Sequence, residues 1–574
     1  MNGPNSEPDQ KNLLLAIVLS AGVLLMWQAT LPPPVQQPSE TPAASPTTAP
    51  APATPTAQVP AQPGVQPGQG QATGLVAPTF SKAVVATLEV AEHQGITISN
   101  DGGQLDSWTL FEDQYLVPGV GDGPSSPFVF VHNPAGQLDK SLFIPPQVGL
   151  TFNGKQSSGE FKVAQSNATS ARLEWTDPVT GVIVSKSYSV NEAQFTVDMK
   201  LGLRNPGSNP VSYGLDTTFQ ALQRDEDAAG SMFMPPIHLY ESVCQRSDDF
   251  ERMAATAIIE AKEDNDPTAF KDGIKWAGVD NRYFMTGLVV PDGNIEECSS
   301  DAGPEKGAPG FTRLSNKVSL VGGMLQPGQS VERTLTLYGG PKKRSELDAL
   351  SVPMTNAIDF GIFSVICVPM LWLMGLFYSY IANWGVAIIL LTLLVKLITL
   401  PLTIKQYRSM GAMKKIQPLM KKLQEKHSED KVRMQQEMMK LYKEHNVNPL
   451  AGCLPMLMMM PIYFALYRTI FSAVELYQAD FFLWIKDLSQ QDPYYITPLL
   501  LGVLMVIQFK LNPSAGDQMQ TKIMMYVMPV MFTGMMLFLP SGLVLYILVN
   551  TILGICQQYY IYRQADVADA QPAT

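Results

Sequence analysis

The sequence is poor in the side chains from which metal and redox sites are built. Its 574 residues include five cysteines and five histidines. The cysteines show no CxxC spacing and the histidines are scattered, whereas zinc and thiol redox sites need such ligands at short, regular intervals. We therefore expect neither a metal nor another cofactor.

Motifs for nucleotide hydrolysis and covalent catalysis are also missing. The sequence contains no Walker-type glycine loop, no nucleophile elbow and no motif of paired carboxylates that stands out. The net charge of -11 argues against a general nucleic-acid binder, because phosphate neutralisation needs a basic surface. These absences predict a protein that is not an enzyme.

The first 79 residues predict a membrane anchor followed by a spacer. An apolar stretch, Leu13–Leu31, follows Lys11, so residues 1–31 are either a cleaved signal peptide or a retained anchor. We favour the anchor, because no convincing cleavage site ends the stretch and Trp27 suits a membrane interface. Residues 32–79 are rich in Pro, Ala, Gln and Thr with almost no charge, which is typical of a disordered linker.

Residues 80–345 predict a large antiparallel β-sandwich. Short alternating runs such as Val182–Val190 and Val331–Tyr338 are separated by turn signals. No catalytic motif stands out, which favours a structural or docking domain. Cys244 and Cys298 lie in this part, where a disulfide and two free thiols are both open alternatives.

The last third of the chain contains apolar segments of about the length that crosses a bilayer. Five are interpreted as transmembrane helices, at 384–404, 452–471, 494–511, 523–539 and 543–562. With the anchor they give a polytopic α-helical membrane protein of six spans with a five-helix core. Another apolar segment, 360–382, is separated from the next by Asn383 alone, which leaves no room for a turn. We expect it to be an amphipathic helix in the outer interface.

Charge sets the predicted orientation. The segment Leu402–Pro449 holds eleven Lys and Arg against five Asp and Glu, so the positive-inside rule places it in the cytoplasm. Within it, residues 405–449 form two helical runs around a turn at His427–Asp430, which predicts a helical hairpin. Its lysines either contact lipid headgroups, ribosomal RNA or a protein, or form a solvated face. Both termini, including the short tail 563–574, then lie inside.

Lys396 is the most informative candidate for a functional residue. It lies about 12 residues into the span that starts at Trp384, hence about 18 Å below the outer interface at about 1.5 Å per residue. A lysine at that depth costs at least about 3 kcal/mol, and no Asp or Glu lies in the six predicted spans. Either water reaches Lys396 or its amine is deprotonated.

Other polar residues of the spans are predicted to line the same space. They are Thr392, Thr399, Gln508, Asn550 and Gln557. For each threonine the alternative is a hydroxyl bonded to its own helix, and for each amide a bond between helices. Taken together with an unpaired lysine, they favour a hydrophilic cavity inside the helical bundle.

A series of motifs runs in order through residues 384–563. They are Asn448-Pro449-Leu450, Gly452-Cys453-Leu454-Pro455, Met460-Pro461-Ile462-Tyr463, Leu483-Trp484-Ile485, Asp487-Leu488, Asp492-Pro493-Tyr494-Tyr495, Met528-Pro529-Val530 and Pro540-Ser541-Gly542-Leu543-Val544-Leu545-Tyr546. These motifs resemble the signature of the YidC, Oxa and Alb family of membrane insertases. The anchor and the large sandwich are similar to its Gram-negative form, which implies a bacterial inner-membrane protein with a periplasmic sandwich.

The resemblance also implies a substrate groove. Lys396 occupies the position of the family's groove cation, commonly Arg, and lacks the planar fork of donors that arginine has. Met459 stands where Gln is usual, which makes this part of the groove less polar. Tyr546 lies in the strip that contacts substrate, followed by Ile547 where an aromatic residue is common.

The function that the resemblance implies is insertion and folding of new inner-membrane proteins, alone or with the Sec translocon. Expected partners are nascent membrane proteins, Sec components, the phospholipid bilayer and, weakly through cytoplasmic loops, the ribosome. We expect a monomer. Two alternatives are a secondary transporter or channel for a small anion, and a scaffold that assists assembly beside the translocon.

Overall fold

The computed structural model describes residues 82–115, 128–131, 142–228, 239–247, 249–290, 293–427, 430–445, 449–511 and 523–570. The predicted anchor (1–31) and linker (32–79) lie outside the described residues. A β-rich domain comes first in the described part and is followed by a group of apolar helices.

The β-rich domain consists of three antiparallel sheets, so the predicted β-rich, antiparallel character is confirmed. In chain order the strands are β1 (Val84–Val90), β2 (Gln94–Ser99), β3 (Leu105–Leu110), β4 (Phe128–Val131), β5 (Phe143–Phe152), β6 (Lys155–Ser157), β7 (Lys162–Ser166), β8 (Ser170–Thr176), β9 (Ile183–Val190), β10 (Thr196–Arg204), β11 (Val211–Arg224), β12 (Glu241–Gln245), β13 (Phe250–Ala254), β14 (Ala269–Lys271), β15 (Trp276–Asp280), β16 (Phe284–Val289), β17 (Ile295–Pro304), β18 (Phe311–Leu325) and β19 (Ser330–Pro341). The sheet orders are β1-β2-β3-β4, β13-β12-β15-β16-β19-β10-β9-β8-β7 and β14-β17-β18-β11-β5-β6.

Side-chain periodicity explains how these sheets pack. Along β9 and β10 buried and less buried residues alternate, as in strands with one face in a core. The strands β15 and β16 are buried throughout. Trp108, Trp276 and Phe219, from the three different sheets, are fully buried in one common core.

A disulfide crosses this core. Cys244 in β12 is bonded to Cys298 in β17, so it joins the nine-stranded sheet to the six-stranded one. The side-chain amide of Asn316 lies against both sulfur atoms. Its nitrogen is 3.5 Å from the sulfur atom of Cys244 and 3.3 Å from the sulfur atom of Cys298. Of the two alternatives that the sequence left open, the structure therefore has the disulfide.

A buried lysine gives the β-rich domain a pH dependence. Nζ of Lys186 donates to the carbonyl oxygens of Gly102, at 2.7 Å, and Val148, at 3.3 Å, and burial lowers its pKa to about 7. The unfolded pKa is about 10.4, so between these values the unfolded chain binds more protons than the folded one. Stability should therefore rise as the pH increases from about 7 to about 10, and below about 7, where both states are protonated, this contribution is absent.

The measurement is the difference in unfolding temperature between the parent and Lys186→Met in detergent, at about pH 6 and about pH 9. We expect the unfolding temperature of the parent, relative to that of the variant, to be higher at about pH 9 than at about pH 6, because methionine has no proton to release. A difference that stays constant with pH would contradict the assignment.

Most of the helices come after the sheets in the chain. Two short helices, α1 (Asp225–Ala228) and α2 (Ala255–Asp264), lie within the β-rich domain, and α3 (Arg344–Asp348) follows it. The apolar part contains α4 (Ser364–Ile381), α5 (Trp384–Lys426), α6 (Lys431–Glu444), α7 (Pro449–Ser472), α8 (Ile496–Leu511), α9 (Met528–Met536) and α10 (Ser541–Ala570). A π-helical turn, Ile523–Val527, precedes α9.

Three helical segments in the described part of the chain are long and apolar enough to cross a membrane. They are Gly361–Ile381, Trp384–Met420 and Ser541–Gln564. The segments Ile496–Leu511 and Met525–Met536 are apolar but shorter. The exposed side of α4 is apolar, with Val365 and Trp372 both exposed, so the helix lacks the polar outer face that an amphipathic helix would have.

Two helices extend past their predicted ends. The sequence places a boundary at residue 404, but α5 runs unbroken for 43 residues through Pro401 and Pro418. Its start is fixed by Asn383, whose side-chain oxygen accepts a hydrogen bond from the amide of Val386 at 3.0 Å. Strong helix formers fill its second half, so nothing stops it at the end of the apolar run. Similarly, α10 continues through most of the predicted tail to Ala570.

The β-rich domain rests directly on the helical part. Arg282, between β15 and β16, donates from Nε to the carbonyl oxygen of Phe471 at 2.6 Å, and its guanidinium lies 3.5 Å from the centre of the Phe471 ring. The side chain of Gln114 donates to the carbonyl oxygen of Glu475 at 3.3 Å, and Phe284 contacts Tyr477 edge to face. The end of α7 and the loop after it are thereby held against the sheets.

Candidate functional site

Lys396 is buried inside the group of helices, and none of the described residues supplies a counter-charge to it. It lies one third of the way along α5 and is 8% exposed. Its side-chain ammonium makes no hydrogen bond or ion pair with another of the described residues. A buried ammonium without a partner is costly, so the site favours water or an anionic group beside it.

Polar groups from two helices, α5 and α8, converge at a glycine of α10. A Cβ atom at Gly554 would lie 3.4 Å from Nε2 of Gln508, 3.7 Å from Oη of Tyr407 and 3.8 Å from Nζ of Lys396. The hydroxyl of Tyr407 donates to the carbonyl oxygen of Gly554 at 3.3 Å. These are ordinary van der Waals distances, so Gly554 marks the place where α5 and α8 bring these three groups together.

The predicted threonines do not offer free hydroxyls. Thr392 donates to the carbonyl oxygen of Ile388 at 2.7 Å, and Thr399 to that of Val395 at 2.9 Å. Each hydroxyl bonds to its own helix four residues back, which is the alternative weighed for them above. Thr392 and Thr399 lie on the same face of α5 as Lys396, because they are four and three residues from it. Their hydroxyl groups already donate hydrogen bonds to the backbone of their own helix.

Met459 and Tyr546 are buried side chains of the helical part. Oγ1 of Thr403 lies 3.9 Å and Oη of Tyr463 3.7 Å from the sulfur atom of Met459, which accepts from both. Tyr546 is 5% exposed. Met459 thus contacts the polar face of α5 at Thr403, and its thioether offers an adaptable surface there.

Asn550 and Gln557 lie on the same face of α10 as Gly554, since the three are four and three residues apart. Both side chains are half-buried. Oε1 of Gln557 is buried and has no hydrogen-bond partner among the described residues. The side-chain amides of Asn550 and Gln557 thus extend the polar face of α10 on the N-terminal and C-terminal sides of Gly554.

Three residues near the site were missed from the sequence: Thr403, Tyr407 and Gly554. A signal for the first two exists, because Thr392, Lys396, Thr399, Thr403 and Tyr407 recur every three to four residues and mark one polar face of α5. The predicted end of the span at residue 404 put Tyr407 outside it. A glycine carries no comparable signal.

The arrangement offers a cation, an amide and a phenol inside an apolar group of helices. Such groups attract a carboxylate or polar backbone by charge and hydrogen bonds. Their collected donors and acceptors can also hold water where hydrocarbon is expected. The geometry therefore suits transient polar contact with a passing chain.

Two family models together match most of the chain. Residues 376–568 match the family described as 60Kd inner membrane protein. Residues 91–373 match the family described as YidC periplasmic domain.

Curated relatives match over nearly the whole length. The membrane protein insertase YidC of Methylobacillus flagellatus is 30% identical, over 98% of this chain and 99% of the relative. The insertase of the same name from Anaeromyxobacter sp. (strain K) is 35% identical, over 99% of each. A solved structure described as an active YidC insertase with its first transmembrane domain resolved aligns at 19% identity with a TM-score of 0.35, over 84% of this chain and 93% of that one. That superposition is too loose to equate individual residues.

Proposed function

Because this chain belongs to the YidC family of membrane protein insertases, we propose that it inserts substrates through a hydrophilic groove centred on Lys396. It is an inner-membrane protein with a periplasmic domain, as the two family models indicate. The observation that carries the proposal is the unpaired, 8% exposed ammonium of Lys396, gathered with Gln508 and Tyr407 around Gly554.

The groove acts by shortening the apolar distance that a substrate's polar tail must cross. Water held around Lys396 lowers the cost of bringing charged or polar groups into the membrane. Attraction to the ammonium holds an acidic tail transiently, and the apolar segment of the substrate then leaves into lipid beside α7 and α10. Energy comes from burial of that segment and from the membrane potential, with no covalent step.

The proposed topology has six spans with both termini in the cytoplasm. The contact of Arg282 with Phe471 supports a periplasmic location for the end of α7, because the β-rich domain is periplasmic. At about 1.5 Å per residue, α5 is about 64 Å long, twice the hydrocarbon thickness of about 30 Å. Its basic second half, packed on α6 through Ile416, Met420 and Leu441, therefore forms a hairpin that projects into the cytoplasm.

This topology has a labelling test. Ser351 and Ala382 are exposed and flank α4. Changed singly to cysteine after Cys367, Cys453 and Cys556 are replaced by alanine, both should react with an impermeant maleimide from the periplasmic side, because α4 does not cross the membrane in the proposed topology.

The matched control for the labelling is Glu444→Cys, at the exposed end of α6. It should react only after the membrane is permeabilised. Protection of either periplasmic position until permeabilisation would mean that α4 crosses the bilayer.

We further propose that the protein works as a monomer, alone or beside the Sec translocon, and contacts ribosomes weakly through the cytoplasmic hairpin. The basic excess of Leu402–Pro449 supports attraction to ribosomal RNA or anionic lipid. The competing functions are an anion transporter or channel using Lys396, and a scaffold that inserts nothing alone.

Reconstitution separates these functions. The purified chain in vesicles of phosphatidylethanolamine and phosphatidylglycerol should insert a small single-span substrate, measured as protease protection of its translocated tail. Chloride flux through the same vesicles should stay at the level of protein-free ones. Chloride flux without protected tail would favour the transporter, and neither activity would favour the scaffold.

A further inference from the structure

The loop between α7 and α8 exposes two large apolar side chains at its tip. Phe482 is 56% and Leu483 is 78% exposed. Leu483 also has a φ of 58°, a left-handed backbone conformation that leucine rarely adopts. An apolar residue that is both exposed and conformationally unfavourable needs a compensating environment.

The tip is rigidly built. The amide of Phe481 donates to the carbonyl oxygen of Ile485 at 3.1 Å, and the amide of Ile485 donates to that of Phe482 at 3.2 Å. These two bonds close a tight turn that turns Leu483 outward. The exposure of Phe482 and Leu483 thus follows from hydrogen-bonded geometry.

The turn is attached to the outer end of α5. The side-chain amide of Asn383 donates to the carbonyl oxygen of Phe481 at 3.2 Å, while its oxygen caps α5. A Cβ atom at Gly385 would collide with the ring of Phe481, so only glycine lets the ring pack there. The tip therefore lies at the level where α5 begins.

Aromatic and apolar residues mark that level as the membrane interface. Tyr378 and Trp384 stack with their ring centres 4.1 Å apart, and such rings concentrate where hydrocarbon meets headgroups. The exposed apolar surface of α4 ends beside them at Tyr380 and Ile381. The tip is thus continuous with a surface that faces lipid.

Charge flanks the tip on both sides. Asp480 and Lys486 are exposed and form an ion pair at 4.0 Å. Charged groups next to two apolar side chains suit a segment that enters the acyl region by its tip and leaves its base among headgroups.

From this geometry we infer that Phe482 and Leu483 insert into the outer leaflet and anchor the start of α5 at a fixed depth. The inference rests on the orientation proposed above and deepens it, because the depth of the start of α5 sets the depth of Lys396. The partner is the phospholipid surface itself.

The test places a fluorescent nitrobenzoxadiazole label on Leu483→Cys, in full-length protein whose Cys367, Cys453 and Cys556 are replaced by alanine. Vesicles of phosphatidylethanolamine and phosphatidylglycerol carry a small fraction of phosphatidylcholine with a nitroxide at acyl carbon 5 or 12. The matched control is the same label on Val179→Cys, 85% exposed in the turn between β8 and β9.

We expect the label at 483 to be quenched by the nitroxide at carbon 5 more than at carbon 12, and to be at least about fivefold less sensitive to aqueous iodide than the label at 179. Iodide sensitivity equal to that at 179, or protection from both quenchers because protein covers the tip, would overturn the inference. These readouts need no substrate, so loss of insertion with intact lipid quenching would count against the groove and not against the anchor.

Discussion

Lys396→Glu should abolish most insertion of substrates with acidic translocated tails, while Lys396→Arg retains it. At about 4 Å, the attraction between an ammonium and a carboxylate is on the order of 4 kcal/mol in a partly screened site. Glutamate turns attraction into repulsion, so a loss of at least about tenfold is expected from a change of only about 1.4 kcal/mol. The measurement is protease protection of the tail in vesicles that carry matched amounts of each variant.

Lys396→Ser is the control for hydration. Serine keeps a polar groove beside Gln508 and Tyr407 but removes the charge, so insertion of acidic tails should fall while that of neutral tails is nearly preserved. Equal insertion by Lys396→Glu and the parent, for both kinds of tail, would refute the electrostatic role.

Removing the disulfide should cause the largest loss of stability in the β-rich domain. Cys244 and Cys298 are 54 residues apart, and closing a loop of that length constrains the unfolded chain by about 4 kcal/mol in the chain-entropy account. Since domains are stable by only about 5 to 15 kcal/mol, the variant with alanine at both positions should unfold many degrees lower. The measurement is thermal unfolding of the full-length protein, followed by protease sensitivity of the domain.

The control for this change is Cys556→Ala, which removes an exposed free cysteine of α10 and should leave the unfolding temperature unchanged. Reductant should lower the stability of the parent but not that of the double variant. If the parent and the double variant unfold at the same temperature, the disulfide does not contribute to the stability of the domain.

Sequence reasoning found Lys396 and Gln508 because a charged or amide group is conspicuous in an apolar run. It missed Gly554, which has no side chain to distinguish it in the sequence, and Tyr407, which lies beyond the point where hydropathy falls. The end of an apolar run marks where lipid ends, but a helix stops only when its backbone loses hydrogen bonds. For this reason the predicted boundary at 404 failed as a helix end.

The antiparallel β-rich domain was predictable because alternating burial has a period of two that survives in the sequence. Its docking onto the helices was not. Arg282 is one of many arginines in the chain, and only the fold brings it against Phe471. A contact between residues 189 positions apart leaves no local pattern.

The long helix α5 contains a proline, Pro401, at which it can bend. Pro401 has no amide to donate to the carbonyl oxygen of Leu397, so the rod bends most easily just over one turn beyond Lys396. From Pro401 to Lys426 the arm is about 37 Å long at about 1.5 Å per residue. A bend of about 10° would therefore swing its far end by about 6 Å, while the part above the proline stays clamped by its cap at Asn383. Such a bend would move the far end of α5 while the buried ammonium of Lys396 stays in place.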